Sequence, residues 1–437
     1  MRSITIQRGL LRNLLAVVWP AFSVHAAWAG SKSDSQDAKS LFRAGRFAEA
    51  EKVFAARNAE KPGDARTLLH LGYLALLRND LGEAERRLQA ALEIKPKIKE
   101  GPALLAEVYY RRDEFERAAP LFKKVGRTSM ARKLASFAGR QPYQIDSAPS
   151  STRLPFLRTD PLPVVGVRVN GSEPARFLID TGGGELILDS VFAKKVAARH
   201  FGAERSYFGG GKKAPFEHGR VETVRLGGFE VRHVPVITMD LSAIGPALGE
   251  ERVDGIVGTV PLYHFLSTID YENGELVLAR CDATQQEGRG SSDLGVGAVD
   301  IPFWMADDHF IVAWGAVNGG PKMLFFVDTG LAGAGFTCPH STLKAAAIVL
   351  KKDQAASGTG GGGAIRFVPF VVDDLSLGDV RRTRIDGALG PFPRQLEWDM
   401  GFHIGGLISH QFFRPGALTL DFDAMRLRIR ASTQKPD

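Results

Sequence analysis

VNGSEPARFLIDTG (169–182) and VNGGPKMLFFVDTG (317–330) are two versions of one pattern, 148 positions apart. Val169/Val317, Asn170/Asn318, Gly171/Gly319, Phe177/Phe325 and the whole Asp-Thr-Gly triplet are identical. Each stretch reads as an Asn-Gly turn followed by an apolar strand that ends at Asp-Thr-Gly. Further on the offset becomes 151. Gly209, Gly210 and Gly211 then correspond to Gly360, Gly361 and Gly362, Leu226-Gly227 to Leu377-Gly378, and Asp270 to Asp421. A single three-residue insertion accounts for the shift. The pattern predicts two copies of one mostly-β unit, over 164–281 and 301–430, joined by a linker at 282–300. In each copy a helix-like run (VFAKKVAARH, STLKAAAIVLKK) follows the triplet, then a glycine-rich loop and further strands. An apolar-Gly segment comes near each end, at 255–258 and 405–408.

One Asp-Thr-Gly triplet is an ordinary junction between a strand and a turn. Two of them at equivalent places in duplicated units are a different matter, because a two-fold arrangement brings Asp180 and Asp328 together. Two adjacent carboxylates resist double ionisation, so one keeps its proton near neutral pH. The ionised partner can take a proton from a water while the protonated one donates to a carbonyl oxygen. Thr181 and Thr329 offer hydroxyls that can bond across the two-fold, and Gly182 and Gly330 allow a sharp turn and close backbone approach.

On these residues, the segment 152–430 resembles a bilobal aspartic protease of the pepsin/retropepsin class. The resemblance implies that Asp180 and Asp328 form the catalytic dyad, supported by Thr181, Gly182, Thr329 and Gly330. It also implies flap hairpins over substrate at Gly209, Gly210, Gly211 and at Gly360, Gly361, Gly362, with Tyr207 as the candidate flap tyrosine. The apolar-Gly segments resemble the loop that packs beneath each Asp-Thr-Gly turn. Three features depart from the pattern. Gly183 and Leu331 stand where Ser, Thr or Ala is usual and bring no hydroxyl to the carboxylates. Ser409 stands where Gly258 predicts a glycine, and the second copy has no flap tyrosine. The activity implied is that of an aspartic endopeptidase. The alternative is a non-catalytic peptide- or protein-binding envelope protein on the same fold.

Residues 35–139 carry a period of 34. Phe47, Leu81 and Phe115 obey it, as do Ala50, Ala84 and Ala118, and Phe54, Leu88 and Phe122; Pro62 and Pro96 share the spacing. Small Ala at a helix crossing with a bulky residue four positions later lets antiparallel helices pack closely, and Pro ends the second helix. This segment resembles tetratricopeptide repeats, three units with a capping helix near 129–138, which implies either a groove for a protein partner or a support for the next domain. The Pro- and Ser-rich stretch 140–163 reads as a linker and the lead-in to the first strand. The expected fold is therefore multidomain: an all-α tetratricopeptide array, then a duplicated, two-lobed β protease.

Residues 1–29 read as a signal peptide. Arg2, Arg8 and Arg12 precede an apolar stretch too short to span a bilayer, and Ala27-Trp28-Ala29 fits cleavage before Gly30. Export to the periplasm or medium is expected, with no stable membrane span. There an oxidised pair between Cys281 and Cys338 becomes an option. A 44% apolar and 24% charged composition excludes a disordered chain and a polytopic membrane protein. A net charge of +7, partly in the leader, gives no basis for nucleic-acid binding. Of the ten histidines, His218, His309, His340 and His410 read as surface or loop residues. No HExxH or paired Cys/His spacing suggests a metal, no GxSxG a serine hydrolase, and GGGKK at 209–213 lacks the spacing of a phosphate loop. No cofactor is expected, since two carboxyls and a water suffice. The expected partner is a peptide or protein substrate.

Overall fold

The computed structural model describes residues 15–16, 34–145, 149–209, 212–281, 298–390, 392 and 394–431. Seven helices come first: α1 (Asp34–Arg43), α2 (Phe47–Glu60), α3 (Ala65–Leu77), α4 (Leu81–Ile94), α5 (Gly101–Arg111), α6 (Phe115–Lys124) and α7 (Thr128–Ala135). Their starts and stops follow local chemistry. Asp64 and Asp80 cap α3 and α4 by accepting from the Thr67 and Glu83 amides, each at 3.1 Å. Gly45, Asn79 and Asp113, again 34 apart, turn the chain between paired helices at φ of 75°, 61° and 59°. Gly72 lets α3 and α4 meet, since a Cβ there would lie 2.7 Å from Leu88 Cγ. The 34-residue period is thus a repeat of helix pair and left-handed turn.

The rest is mostly β, and the pairings around the two triplets match strand for strand. Ala175–Ile179 pairs antiparallel with Val164–Val169 and parallel with Gly255–Val257, placing Phe177 opposite Gly255. Met323–Val327 pairs antiparallel with Phe310–Val317 and parallel with Gly406–Ile408, placing Phe325 opposite Gly406. Both strands are buried on both faces, which explains their unbroken apolar runs. An antiparallel sheet joins the halves in the order Ser151–Arg158, Glu275–Arg280, Phe265–Asp270, Ala417–Asp421, Arg426–Arg430, Val299–Ala306. The Thr268 and Thr419 hydroxyls meet at 2.8 Å across its centre.

Ser151–Arg158 falls inside the stretch read from sequence as linker and lead-in. Pro155 and its arginines hide the strand, but it pairs at the sheet's end, where a proline is tolerated. Cys338 is a fully buried free thiol, so the oxidised pair with Cys281 is not formed. Burial pushes that thiol up to about 12.

The helices and the β region share one boundary. Almost every residue of α3 and α5 is buried. Phe47 packs its ring 5.4 Å from Trp304 and 5.0 Å from Phe402. Tyr73 donates to the Met400 carbonyl at 3.1 Å, and Asn79 donates to the Tyr263 hydroxyl at 3.1 Å. The face that α3 and α5 present is covered by the chain's own β region, as Tyr73, Asn79 and Arg111 show. Of the residues read as a leader, 1–29, only Leu15–Ala16 is described. It forms a short strand antiparallel to Leu331–Ala332 and parallel to Thr359–Gly360.

Candidate active site

Each Asp-Thr-Gly triplet begins where its buried central strand ends, with the aspartate backbone still tied to the neighbouring strand. The Asp180 amide donates to the Val257 carbonyl and the Asp328 amide to the Ile408 carbonyl, both at 3.0 Å. The two turns then lock to each other. The Thr181 amide donates to Thr329 Oγ1 and the Thr329 amide to Thr181 Oγ1, both at 3.0 Å. Each hydroxyl donates onward across the two-fold, Thr181 to the Val327 carbonyl at 2.9 Å and Thr329 to the Ile179 carbonyl at 3.2 Å. A threonine hydroxyl supplies a donor and an acceptor at once, and both are used here.

The lock places the carboxylates face to face. Gly182 and Gly330 amides donate to their own Asp180 and Asp328 Oδ1 atoms at 2.8 Å. A Cβ on Gly182 would sit 2.4 Å from Asp328 Cγ, and one on Gly330 2.2 Å from Asp180 Cγ. Each glycine therefore lies directly against the opposite carboxyl, and no larger residue fits. Both aspartates are buried. Burial raises the Asp180 carboxyl well above the ordinary range, and the Asp328 charge raises it further. Burial also raises Asp328, offset by its hydrogen bond with Asp180 and by the Gly330 amide. Asp180 Oδ2 is buried with no hydrogen-bond partner among the described residues, and burial and the Asp328 charge both favour the protonated form of Asp180.

The segments beneath the turns complete the arrangement. Thr259 donates its amide to the Gly183 carbonyl and its hydroxyl to the Thr181 carbonyl, both at 2.8 Å. Gly258 is compelled, because a Cβ would fall 2.2 Å from the Gly184 carbonyl oxygen. In the second half the chain has room for Ser409, whose hydroxyl donates to the Leu331 carbonyl at 2.9 Å. The departure at Ser409 is thus a support for the second turn. Neither Gly183 nor Leu331 brings a side-chain donor to the carboxylates.

The glycine-rich loops are hairpin tips. Arg199–Phe208 pairs with Lys212–Leu226, and Ala356–Gly360 with Gly363–Leu377, Gly360 facing Gly363. The tips meet where the Gly362 amide donates to the Gly209 carbonyl at 3.3 Å. Gly361 lies with Gly362 at the second tip; Gly210 and Gly211 lie outside the described residues. Tyr207 is half-buried on the first hairpin under Lys213, whose Nζ is 4.9 Å from the ring centre. No described hydrogen bond joins Tyr207 to either aspartate.

Of the four histidines read as surface or loop residues, His218, His309 and His410 are buried, His309 on the 307–309 turn, while His340 is exposed. Each buried ring has a polar partner. His218 faces Glu204 at 3.2 Å, His309 pairs with Asp308, and His410 Nδ1 lies 3.2 Å from the Leu331 carbonyl oxygen. Burial pushes His218 and His410 each down to about 4. Among the described residues, no cluster of three or more His, Cys, Asp or Glu is placed to hold a metal.

The site also contains groups that sequence reading missed. Glu185, in DTGGGE, is buried and holds Lys133 of α7 and Tyr110 of α5. Its one visible signal is asymmetry, since the equivalent position in the second copy is Gly333.

Comparison with known proteins agrees with this geometry over part of the chain. Residues 165–260 match a family described as aspartyl protease, which supports an aspartic protease fold and, in general terms, a hydrolase acting on peptides. Among solved structures, a retropepsin-like aspartic protease from Rickettsia conorii is similar at 15% identity. That similarity covers 32% of this chain and 94% of that one, with a TM-score of 0.22. The comparison with curated proteins gives no match.

The raised Asp180 carboxyl has a measurable consequence for stability. A carboxyl raised by folding stabilises the fold only below its ordinary value near 4, and that contribution is lost as pH rises to the raised value. At neutral pH the parent therefore bears the full cost of keeping Asp180 protonated and buried. Asp180→Asn is expected to melt at a higher temperature than the parent at pH 7. The gap should close towards pH 4 in thermal melts. A parent as stable as the variant at both pH values would contradict the placement of the proton.

Proposed function

We propose that this chain is an exported aspartic endopeptidase whose catalytic dyad is Asp180 and Asp328, one from each of two duplicated lobes. The observation that carries the reading is the reciprocal threonine lock, which sets each carboxyl against the other's glycine in a buried site. Asp180 holds the proton and Asp328 is the ionised member. A water between them gives a proton to Asp328 as its oxygen attacks the peptide carbonyl carbon. Asp180 donates its proton to the carbonyl oxygen, giving a neutral tetrahedral diol. Collapse of the diol breaks the C–N bond. Asp328 returns its proton to the leaving nitrogen, and Asp180 recovers one from a hydroxyl of the diol.

Substrate would enter as an extended strand. The backbone edges at Leu331–Ala332 and Thr359–Gly360 already take Leu15–Ala16 as a strand between them, and main-chain pairing of this kind is indifferent to side chains. The meeting tips near Gly209 and Gly362 would serve as flaps from both lobes. The helices are proposed to be tetratricopeptide units acting as a support. Hydrolysis of a quenched peptide library between about pH 3 and 7, bracketing ordinary carboxyl values, tests the reading. Cleavage by the parent that Asp328→Asn loses would support it. An Asp328→Asn variant as active as the parent would remove Asp328 from the chemistry, and a parent that cleaves nothing would leave the peptide-binding alternative in its place.

Export is proposed from the leader. N-terminal sequencing of the protein from its native cell should begin close to Gly30. An intact Met1 in a cytoplasmic fraction would refute it.

A further inference from the structure

Lys133 is wholly buried, a rare state for lysine unless it is paired. Its ammonium lies on both carboxylate oxygens of Glu185, 2.6 Å from Oε2, and Tyr110 donates to Oε1 at 2.5 Å. Glu185 is five residues beyond Asp180. The carbonyls just before it, at Gly183 and Gly184, accept from the Thr259 and Val260 amides at 2.8 and 2.9 Å. The turn that carries Asp180 is thus fixed from one side by its own lobe and from the other by two helices.

The same helices hold the loop that touches this turn. Arg111 of α5 bonds Glu107 at 2.9 Å and donates to the carbonyls of Met305, at 2.9 Å, and Asp307. Next along that loop, Asp308 and His309 lie against Gly184. A Cβ on Gly184 would come 3.3 Å from His309 Nδ1 and 3.5 Å from Asp308 Oδ1. Helix α5 therefore grips one loop from each half, and α7 joins it on the turn that follows Asp180.

We propose that Lys133, with Tyr110, is a positioning residue of the active site: it fixes Glu185 and through it the 182–185 turn, making the helical array a working part of the catalytic unit. This rests on the protease reading for its kinetic consequence, but its structural consequence stands apart. A buried carboxylate released from its only lysine reorients or takes a proton, and a shift of about 1 Å in a reacting group costs on the order of a hundredfold in rate.

The test uses the full-length chain. Lys133→Met should lower kcat at least tenfold with KM little changed, at a temperature where circular dichroism shows the variant folded. Amides of the 180–186 segment should exchange with deuterium at least tenfold faster than in the parent. Adding Glu185→Gln removes the stranded charge, and should restore the melting temperature without restoring kcat. If Lys133→Met does not fold, Tyr110→Phe, which deletes one hydroxyl, should give the same pattern in milder form. Parental exchange in the turn, or recovery of kcat together with melting temperature in the double variant, would overturn the proposal. A parent that hydrolyses nothing would sink the protease reading alone, because the exchange measurement still decides the role of Lys133.

Discussion

Asp180→Asn and Asp328→Asn are each expected to abolish most peptide hydrolysis, and the double variant to be little worse than either single one. The non-additivity follows from one proton and one water serving both carboxyls. Removing either member removes the working unit, so the second loss has nothing left to act on. The same coupling gives a bell-shaped pH profile whose two limits belong to the pair and not to either residue. Both carboxyls are raised by burial, and neither Gly183 nor Leu331 offers a hydroxyl to stabilise the ionised form. Activity should accordingly extend to higher pH than ordinary carboxyl values would allow. Losses that simply multiply across the two variants would mean two independent groups.

Arg111→Met is expected to be among the most destabilising single changes in the chain, by about 3–5 kcal/mol, the range for removing one partner of a buried ion pair. The guanidinium is the common donor for Glu107 and for the Leu76, Met305 and Asp307 carbonyls. Its loss strands a buried carboxylate and leaves carbonyls from both the helical and β regions unsatisfied. Chemical denaturation of the two proteins checks the figure. A change below about 1 kcal/mol, the size for an exposed pair, would mean that Arg111 contributes little to joining the helices and the β region. The expected effect also bears on independence: an array whose third and fifth helices are covered along almost their whole length is part of a larger core.

The elements legible in the sequence were those with a period. The offsets of 148 and 151 located the strands, the triplets and the glycine-rich tips, because duplication leaves identical residues where the fold tolerates no others. Gly182 and Gly330 are the clearest case, each pressed against the opposite carboxyl. The period of 34 located the helix pairs, and the structure adds turns at Gly45, Asn79 and Asp113 that keep the same spacing with three different residues. What had no period stayed hidden. Lys133 and Glu185 are 52 residues apart and Arg111 and Met305 are 194 apart. Neither pair repeats, and a buried lysine looks the same in sequence as an exposed one. His218 and His410 are buried, with partners, Glu204 and the Leu331 carbonyl, brought by tertiary packing alone, whereas His309 lies on the 307–309 turn beside its sequence neighbour Asp308. Ser151–Arg158 was obscured by charge on its exposed face and by Pro155, both permitted at a sheet edge.

The claim on which the mechanism depends is that Asp180 and Asp328 share one proton at a pH where ordinary carboxyls have lost theirs. Infrared difference spectroscopy of the parent against Asp180→Asn at about pH 6, well above the usual carboxyl range, addresses it without any substrate. Other buried acids, such as Glu107 and Asp307, cancel in the difference. The predicted result is one protonated carboxyl C=O band in the parent that is missing in Asp180→Asn. A difference spectrum showing only the loss of an ionised carboxylate would contradict the shared proton.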